Sequence, residues 1–122
     1  MSRKRILAVL EKLHRERRQL LGRLSAGHEL AVGTVSLVQR KCGNPNCRCA
    51  EGDGHAQVQF LFKDEDGPRR CKLIRKADED RFLRAGECYT EFRADLRRLN
   101  DINSSERKIL MSLRDLRAIH YD

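Results

Sequence analysis

The chain is short, highly charged and poor in aromatic residues. It has 122 residues, of which 36% are charged and 39% hydrophobic, with two Tyr, four Phe and no Trp. This length suits one small domain and excludes a large multidomain enzyme, and the charge content excludes a deep apolar core. No run of about 18 apolar residues occurs, and the start Met-Ser-Arg-Lys-Arg is followed by a charged amphipathic stretch instead of the apolar region and cleavage site of a secretory signal. We therefore expect a cytoplasmic protein with no membrane partner.

The excess positive charge lies in the N-terminal half. The net charge is +8, and residues 1–61 carry 11 basic and 5 acidic groups, against 15 and 13 in residues 62–122. Such a basic segment attracts a polyanion through counterion release. Nucleic acid is the leading candidate and an anionic membrane surface the lesser one. The alternative is a solvated helix face that only keeps the protein soluble.

The first predicted element is a basic amphipathic helix from Arg5 to Leu24, about six turns long. Its apolar residues recur at intervals of three and four, and Ser25-Ala26-Gly27-His28 ends it. Arg17 interrupts the apolar stripe, and we expect it to face solvent. The stripe contains Ile6, Leu10, Leu13, Leu20 and Leu24.

Three strands are predicted next, at residues 32–40, 57–63 and 69–76, because β-forming residues alternate with polar ones there. The turn Asp64-Glu65-Asp66-Gly67-Pro68 joins the second and third strands into a β-hairpin. A cysteine-containing loop lies between the first and second strands. The three strands are expected to form a small antiparallel sheet.

The helical period returns from Ala77 to about His120. Asn103-Ser104-Ser105-Glu106 resembles a capping box, so two helices joined at a kink near Asn103 are the alternative to one long helix. We expect this segment to pack on the N-terminal helix and to extend past it. Its far end, around Ile109, Leu113 and Leu116, would then pack on a second copy of the chain, on another protein, or back on its own domain.

These elements predict an α+β fold: a basic N-terminal helix, a three-stranded antiparallel sheet with the cysteine loop between strands one and two, and a long C-terminal helix. The predicted segments are 1–28 for the first helix, 29–76 for the loop and sheet, and 77–122 for the C-terminal helical part. Together they are expected to form one compact domain.

The cysteine loop has the spacing of a metal site. Its pattern is C-x4-C-x-C-x5-H, in which three thiolates and one imidazole match the donors that Zn²⁺ prefers in a closed tetrahedral site. Glycines and a proline between the donors allow the tight turns that such a site needs. The candidate zinc ligands are Cys42, Cys47, Cys49 and His55.

Two alternatives to this ligand set remain open. Cys71 lies in the third predicted strand and is a substitute for His55 as fourth ligand. The loop cysteines could also be a redox pair or ordinary unreactive thiols, whereas a disulfide is not expected in the cytoplasm. Cys88 lies in the C-terminal helix and is interpreted as a small core residue.

Cations flank the loop, the hairpin and the first helix, and such surfaces suit phosphate groups. The candidate nucleic-acid-binding residues are Arg3, Lys4, Arg5, Arg15, Arg18, Arg40, Lys41, Arg48, Arg69, Arg70, Lys72 and Arg75.

The segment from Val35 to Ala50, together with His55, resembles a family signature. It contains the run Lys41-Cys42-Gly43-Asn44-Pro45-Asn46-Cys47-Arg48-Cys49-Ala50. It is similar to small uncharacterised bacterial and archaeal proteins with a CG-x-P-x-CRC-A signature, often encoded beside transposases. The resemblance spans roughly residues 34 to 100. It implies the same four metal ligands and a link to mobile DNA. We expect a larger protein partner, such as a transposase or nuclease.

No enzyme motif is present: the sequence has no Gly-rich phosphate loop, HExxH motif or zinc-deaminase motif. The acidic runs at residues 64–66 and 78–80 are typical of a turn and a helix start. We expect a non-enzymatic, zinc-stabilised accessory module that binds DNA or RNA. The alternative is an adaptor whose helices dock on a larger protein without touching nucleic acid.

Overall fold

The computed structural model describes residues 1–41, 43–52 and 54–122, and of Cys49 only the backbone. The elements are α1 (Arg3–Leu24), β1 (Thr34–Arg40), β2 (His55–Lys63), β3 (Arg69–Leu73) and α2 (Glu79–Arg117). Short 3-10 helices cover Arg48–Ala50 and Lys76–Asp78. The predicted α+β class and the order of the elements are confirmed. No helix in the described part of the chain is long and apolar enough to cross a membrane.

Helix α1 begins two residues earlier than the apolar pattern indicates, because Ser2 caps it. The Ser2 hydroxyl accepts a hydrogen bond from the backbone N–H of Arg5 at 3.3 Å. At the other end, the Ser25 hydroxyl donates to the Leu21 carbonyl at 2.6 Å. The capped helix buries Ile6, Leu10 and Leu20 of the predicted stripe.

The sheet has the strand order β1-β2-β3, and both pairings are antiparallel. Strand β2 begins two residues earlier than predicted, because His55 pairs with Arg40 at the end of β1. Val58 is fully buried in the centre of β2. The register therefore places the cysteine loop at one end of the β1-β2 pair.

Helix α2 is one helix of 39 residues, so the alternative of a break near Asn103 is wrong. The Asn103 side chain does not cap a new helix, because its Oδ1 accepts a hydrogen bond from Nη2 of Arg17 at 2.8 Å. Glu106, the other half of the predicted capping box, lies 2.7 Å from Nη1 of the same arginine. Asn103 and Glu106, which the capping pattern assigned to the start of a second helix, thus both contact α1 instead.

The chain forms two compact units. The helical hairpin contains Met1–Gly27 and Phe92–Asp122, and its buried residues include Ile6 and Ile102, both fully inaccessible. The sheet unit contains His28–Glu91. Its buried residues are Ala31, Val58, Ile74 and Ala85.

Within the sheet unit, the first turns of α2 pack on β1 and β2. The rings of Phe60 and Phe82 lie 5.4 Å apart between centroids. A Cβ at Gly86 would stand 2.9 Å from Cβ of Val35, so glycine permits this close approach of helix and strand. The Ala31 amide also donates to the Ala85 carbonyl at 3.0 Å.

Within the helical hairpin, α1 runs antiparallel to α2. Arg23 binds Asp95 near one end, with Nη2 and Oδ1 2.9 Å apart, and Arg17 contacts Asn103 and Glu106 in the middle. Ile6 lies eleven residues before Arg17, about 16 Å along the helix, and so lies opposite the last turns of α2. Residues 79–91 of α2 belong to the sheet unit, and only the part of α2 from Phe92 onward belongs to the same unit as α1.

Candidate metal centre and nucleic-acid interface

The described part of the cysteine loop is held by short-range hydrogen bonds. The Asn44 side-chain oxygen accepts from the backbone N–H of Asn46 at 3.0 Å, and its carbonyl accepts from Cys47 at 3.1 Å. The Ala50 amide in turn donates to the Cys47 carbonyl at 3.0 Å. These bonds form a tight turn that leads directly into a 3-10 helix, with Cys47 at the junction.

Gly54 fixes the return of the loop to the sheet. Its φ is +88°, in the left-handed region, and a Cβ there would lie 2.5 Å from the carbonyl carbon of Arg40. Only glycine fits this backbone conformation and this close approach. The next residue, His55, is thereby placed opposite Arg40 at the start of β2.

The loop brings Cys47 and His55 together. The Cys47 sulfur and Nε2 of His55 lie 3.1 Å apart. Two donors of one tetrahedral zinc ion, at the usual Zn–S and Zn–N lengths, are separated by about 3.5 Å. The contact is that of a hydrogen bond between the two side chains and is slightly shorter than this separation, so the pair lies near enough to share one ion.

The other two predicted ligands fall outside what the structure describes: Cys42 as a whole, and the side chain of Cys49. Within the described residues, no group of three or more His, Cys, Asp or Glu side chains is placed to hold a metal ion. The described structure thus supplies one pair of donors from the predicted set of four.

Cys71 is far from this pair. In the sheet register it lies beside Leu61, six residues along β2 from His55. At the rise of an extended strand this is roughly 20 Å. Cys71 is exposed and is too distant to replace His55 as a ligand. Cys88, by contrast, is half-buried on α2, as a small packing residue would be.

Exposed cations lie near this pair in the chain. Arg40, Lys41 and Arg48 are all exposed, immediately before the loop or within it. Nζ of Lys41 donates to the Ala50 carbonyl at 3.2 Å, which ties the end of β1 to the 3-10 helix. This end of the sheet therefore combines fixed backbone turns with three positive side chains.

The predicted cations of the hairpin differ in their partners. Arg70 forms an ion pair with Asp64, and Nη2 of Arg75 lies 3.3 Å from Oδ2 of Asp78. Arg69 and Lys72 are exposed on the edge strand β3, with no acidic partner among the described residues. Phosphate binding at the hairpin would therefore depend chiefly on Arg69 and Lys72.

In the helical hairpin, three acidic side chains, including Glu106, are paired across the two helices. Glu16 binds Arg98, with Nε and Oε1 2.6 Å apart, while Asp95 binds Arg23. The predicted cations of α1 are all exposed, and none has an acidic partner among the described residues. They are Arg3, Lys4, Arg5, Arg15 and Arg18.

These pairs perturb the carboxyl groups. Hydrogen bonding to Arg98 lowers the pKa of Glu16, and hydrogen bonding to Arg23 lowers the pKa of Asp95. The pKa of Glu106 is lowered chiefly by Arg17, with a smaller contribution from His14. All three carboxylates are therefore held ionised, and their charge is neutralised inside the hairpin.

Arg17 is the residue that sequence reasoning misplaced. It does not face solvent: its side chain is 24% exposed and contacts both Glu106 and Asn103. The only signal in the sequence is a charged residue at an apolar position of the stripe. Its partners Asn103 and Glu106 are visible in the sequence only as part of a capping-box pattern.

Comparison with known proteins identifies a family. A model described as a domain of unknown function, DUF6788, matches residues 10–84, which include most of α1, the cysteine loop and the whole sheet. No curated protein and no solved structure matches the chain significantly. The chain belongs to the DUF6788 family.

Proposed function

We propose that this protein is a zinc-stabilised, nucleic-acid-binding accessory module. The observation that carries the proposal is the separation of charge in the helical hairpin. Glu16, Asp95 and Glu106 are neutralised across the helix pair, whereas the outward cations of α1 have no acidic partner among the described residues. A surface of this kind binds phosphates and releases their counterions.

Two of the outward cations lie on the same side of α1. Lys4 and Arg15 are about three turns apart and project away from the buried residues Ile6 and Leu10. Lys4 and Arg15 are separated by about 16 Å along the axis, a length that spans several phosphates of a nucleic-acid strand. The face makes backbone contacts and carries no base-reading pattern, so binding should depend weakly on sequence.

Zinc supports the sheet unit in this account. Cys47 and His55 supply two donors that lie near enough to share one ion, and Cys42 and Cys49 complete the proposed set. Bound zinc would contribute its binding free energy to folding, which matters in a unit with few large buried side chains. The exposed cations Arg40, Lys41 and Arg48 would then be presented on a rigid loop.

The resemblance to proteins encoded beside transposases supports a place in a mobile-element or other nucleic-acid-processing complex. The module has no catalytic role in this proposal. It would hold nucleic acid for a larger partner, such as a transposase or nuclease.

The test is fluorescence anisotropy with labelled single- and double-stranded oligonucleotides at several salt concentrations. We expect affinity to fall steeply as salt rises, with a slope that reports the number of phosphates contacted. The double variant Lys4→Ala and Arg15→Ala should weaken binding by about tenfold or more and reduce the salt slope by about two.

A matched control removes two cations that already have acidic partners. Arg81 binds Glu29, with Nη2 and Oε1 2.7 Å apart, and Arg114 lies 2.9 Å from Asp115. Arg81→Ala with Arg114→Ala changes the net charge by the same amount and should leave affinity nearly unchanged. Equal losses in both double variants would contradict a specific face on α1, and no binding at low salt would contradict nucleic-acid binding.

A further inference from the structure

The helical hairpin has an exposed leucine strip that its own helices do not cover. On α1, Leu7 and Leu21 are each 47% exposed, and on α2, Leu96 and Leu110 are each 45% exposed. His14 lies midway between the first two, and Asn103 midway between the second two. The strip comprises Leu7, His14 and Leu21 of α1 with Leu96, Asn103 and Leu110 of α2.

Both rows of the strip lie on one side of the hairpin. Residues seven apart lie two turns apart on the same helix face. The two central residues belong to one cluster, since His14 lies 3.3 Å from Glu106 and Asn103 accepts from Arg17, which also binds Glu106. The leucines seven residues before and after each central residue therefore flank this cluster on the same side.

The antiparallel arrangement aligns the strip in three layers. With Arg23 beside Asp95, the two antiparallel helices bring Leu21 to about the level of Leu96, and Leu7 to about the level of Leu110. The layers are apolar, polar and apolar over about 21 Å. The order of the layers is the same when the strip is read from either end. Two copies of such a surface can therefore pack against each other about a two-fold axis, with equivalent layers in contact.

One pair of charges beside the α1 row of the strip has the same symmetry. Glu11 and Arg18 lie on either side of His14 and line one surface hollow with His14 and Arg17. A two-fold axis through the central layer, perpendicular to the helices, would bring Glu11 of one copy beside Arg18 of the other. The same operation places Leu7 of one copy against Leu21 of the second, and Leu96 against Leu110.

We propose that the leucine strip is a homodimer interface, in which two helical hairpins form a four-helix bundle with α1 against α1 and α2 against α2. The polar central layer of His14 and Asn103 fixes the register, because any shifted alignment would bury these groups against leucine. The occupant is a second copy because an unrelated partner would not require the two ends of the strip to be equivalent. This proposal does not rest on nucleic-acid binding.

The experiment is sedimentation equilibrium of the full, zinc-loaded chain without nucleic acid across the micromolar range. We expect a monomer–dimer equilibrium. The double variant Leu7→Gln and Leu110→Gln should raise the dimer dissociation constant by about tenfold or more. Leu116→Gln is the matched control, because Leu116 is 53% exposed and lies outside the strip. Circular dichroism checks that each variant remains helical.

A charge exchange tests the arrangement of the copies. Glu11→Arg and Arg18→Glu should each weaken the dimer, since each creates like charges across the axis, and together they should restore it. A monomer at every concentration would overturn the proposal, as would a wild-type dimer that the leucine variant leaves intact. Failure of the combined charge variant to restore the dimer would overturn the arrangement of α1 against α1.

Discussion

Nη1 of Arg17 in α1 lies 2.7 Å from Oε2 of Glu106 in α2, and this pair stands in the middle of the apolar contact between the helices. Arg17 also donates to Asn103 at 2.8 Å. The two contacts align the antiparallel helices and remove a carboxylate charge from the outer surface. The basic character of the exposed α1 face therefore depends on how the acidic residues are paired.

Arg17→Ala should destabilise the protein more than Arg15→Ala. Arg17 is mostly covered and its loss leaves Glu106 without its main cation, whereas Arg15 is exposed and has no acidic partner in the described structure. Thermal unfolding followed by circular dichroism measures both. Equal stability of the two variants would show that the pair does not align the helices.

Acid should weaken the helical hairpin. The folded-state pKa values of Glu16, Asp95 and Glu106 are lowered, so the stability they contribute is present above their unfolded pKa values and is lost as pH falls through the folded ones. The loss should begin near pH 4, the ordinary carboxyl range, and continue below it. Chemical denaturation at several pH values measures this slope.

The matching variant carries Glu16→Gln, Asp95→Asn and Glu106→Gln. It should be less stable than wild type at neutral pH and should have a shallower acid dependence. An unchanged slope in this variant would assign the acid sensitivity to other groups.

Core truncation should cost much more than truncation on the open sheet. Ile102 is fully buried, and Ile102→Ala should lower the free energy of unfolding by about 2–5 kcal/mol. Leu37 is 59% exposed, and Leu37→Ala should change it by about 0.5 kcal/mol or less. Urea denaturation of both variants checks the ranking, and a larger effect at Leu37 would contradict the described burial.

Gly54→Ala should strain the return of the loop by about 1–3 kcal/mol and weaken metal binding, because it displaces His55. Gly52→Ala is the control, since its nearest neighbour would be the Arg48 carbonyl oxygen at 3.9 Å. Competition with a chromophoric zinc chelator measures both affinities. Equal affinities would contradict the role of Gly54 in placing a ligand.

Cys47→Ser should reduce the zinc affinity and the stability of the sheet unit together, because the thiolate is a proposed ligand. Cys71→Ser should change neither, since Cys71 lies at the other end of the sheet. Zinc analysis by atomic emission, combined with thermal unfolding, distinguishes the two. Loss of zinc in the Cys71 variant would contradict the ligand assignment.

Local patterns predicted the elements well. The alternation around Val58 and the three-and-four spacing around Leu10 and Leu20 each correspond to burial on one face. Their ends were less predictable, because Ser2 and the pairing of His55 with Arg40 extend two of the elements through single contacts. Periodicity reports which face is buried and contains little information on such contacts.

The tertiary contacts were the harder part. The sequence showed Arg17, Asn103 and Glu106, but a pattern within one segment cannot show that residues 86 positions apart meet. The sequence pattern also did not show that α2 belongs to two units. Its first 13 residues, 79–91, belong to the sheet unit, so that a shorter part of α2 is left to pack on α1. For the candidate site, the spacing of the loop residues predicted that Cys47 and His55 lie close together. The strand register, which the sequence did not show, places Cys71 too far away to replace His55 as a ligand.

Native mass spectrometry of the purified protein tests the central claim most directly, because it measures metal and bound oligonucleotide in the same particle. Spectra would be recorded with and without chelator, and then with short oligonucleotides at low and high salt. The account predicts one zinc per chain, removed by the chelator, and an oligonucleotide complex that disappears as salt rises. A zinc-loaded protein that forms no oligonucleotide complex even at low salt would contradict it.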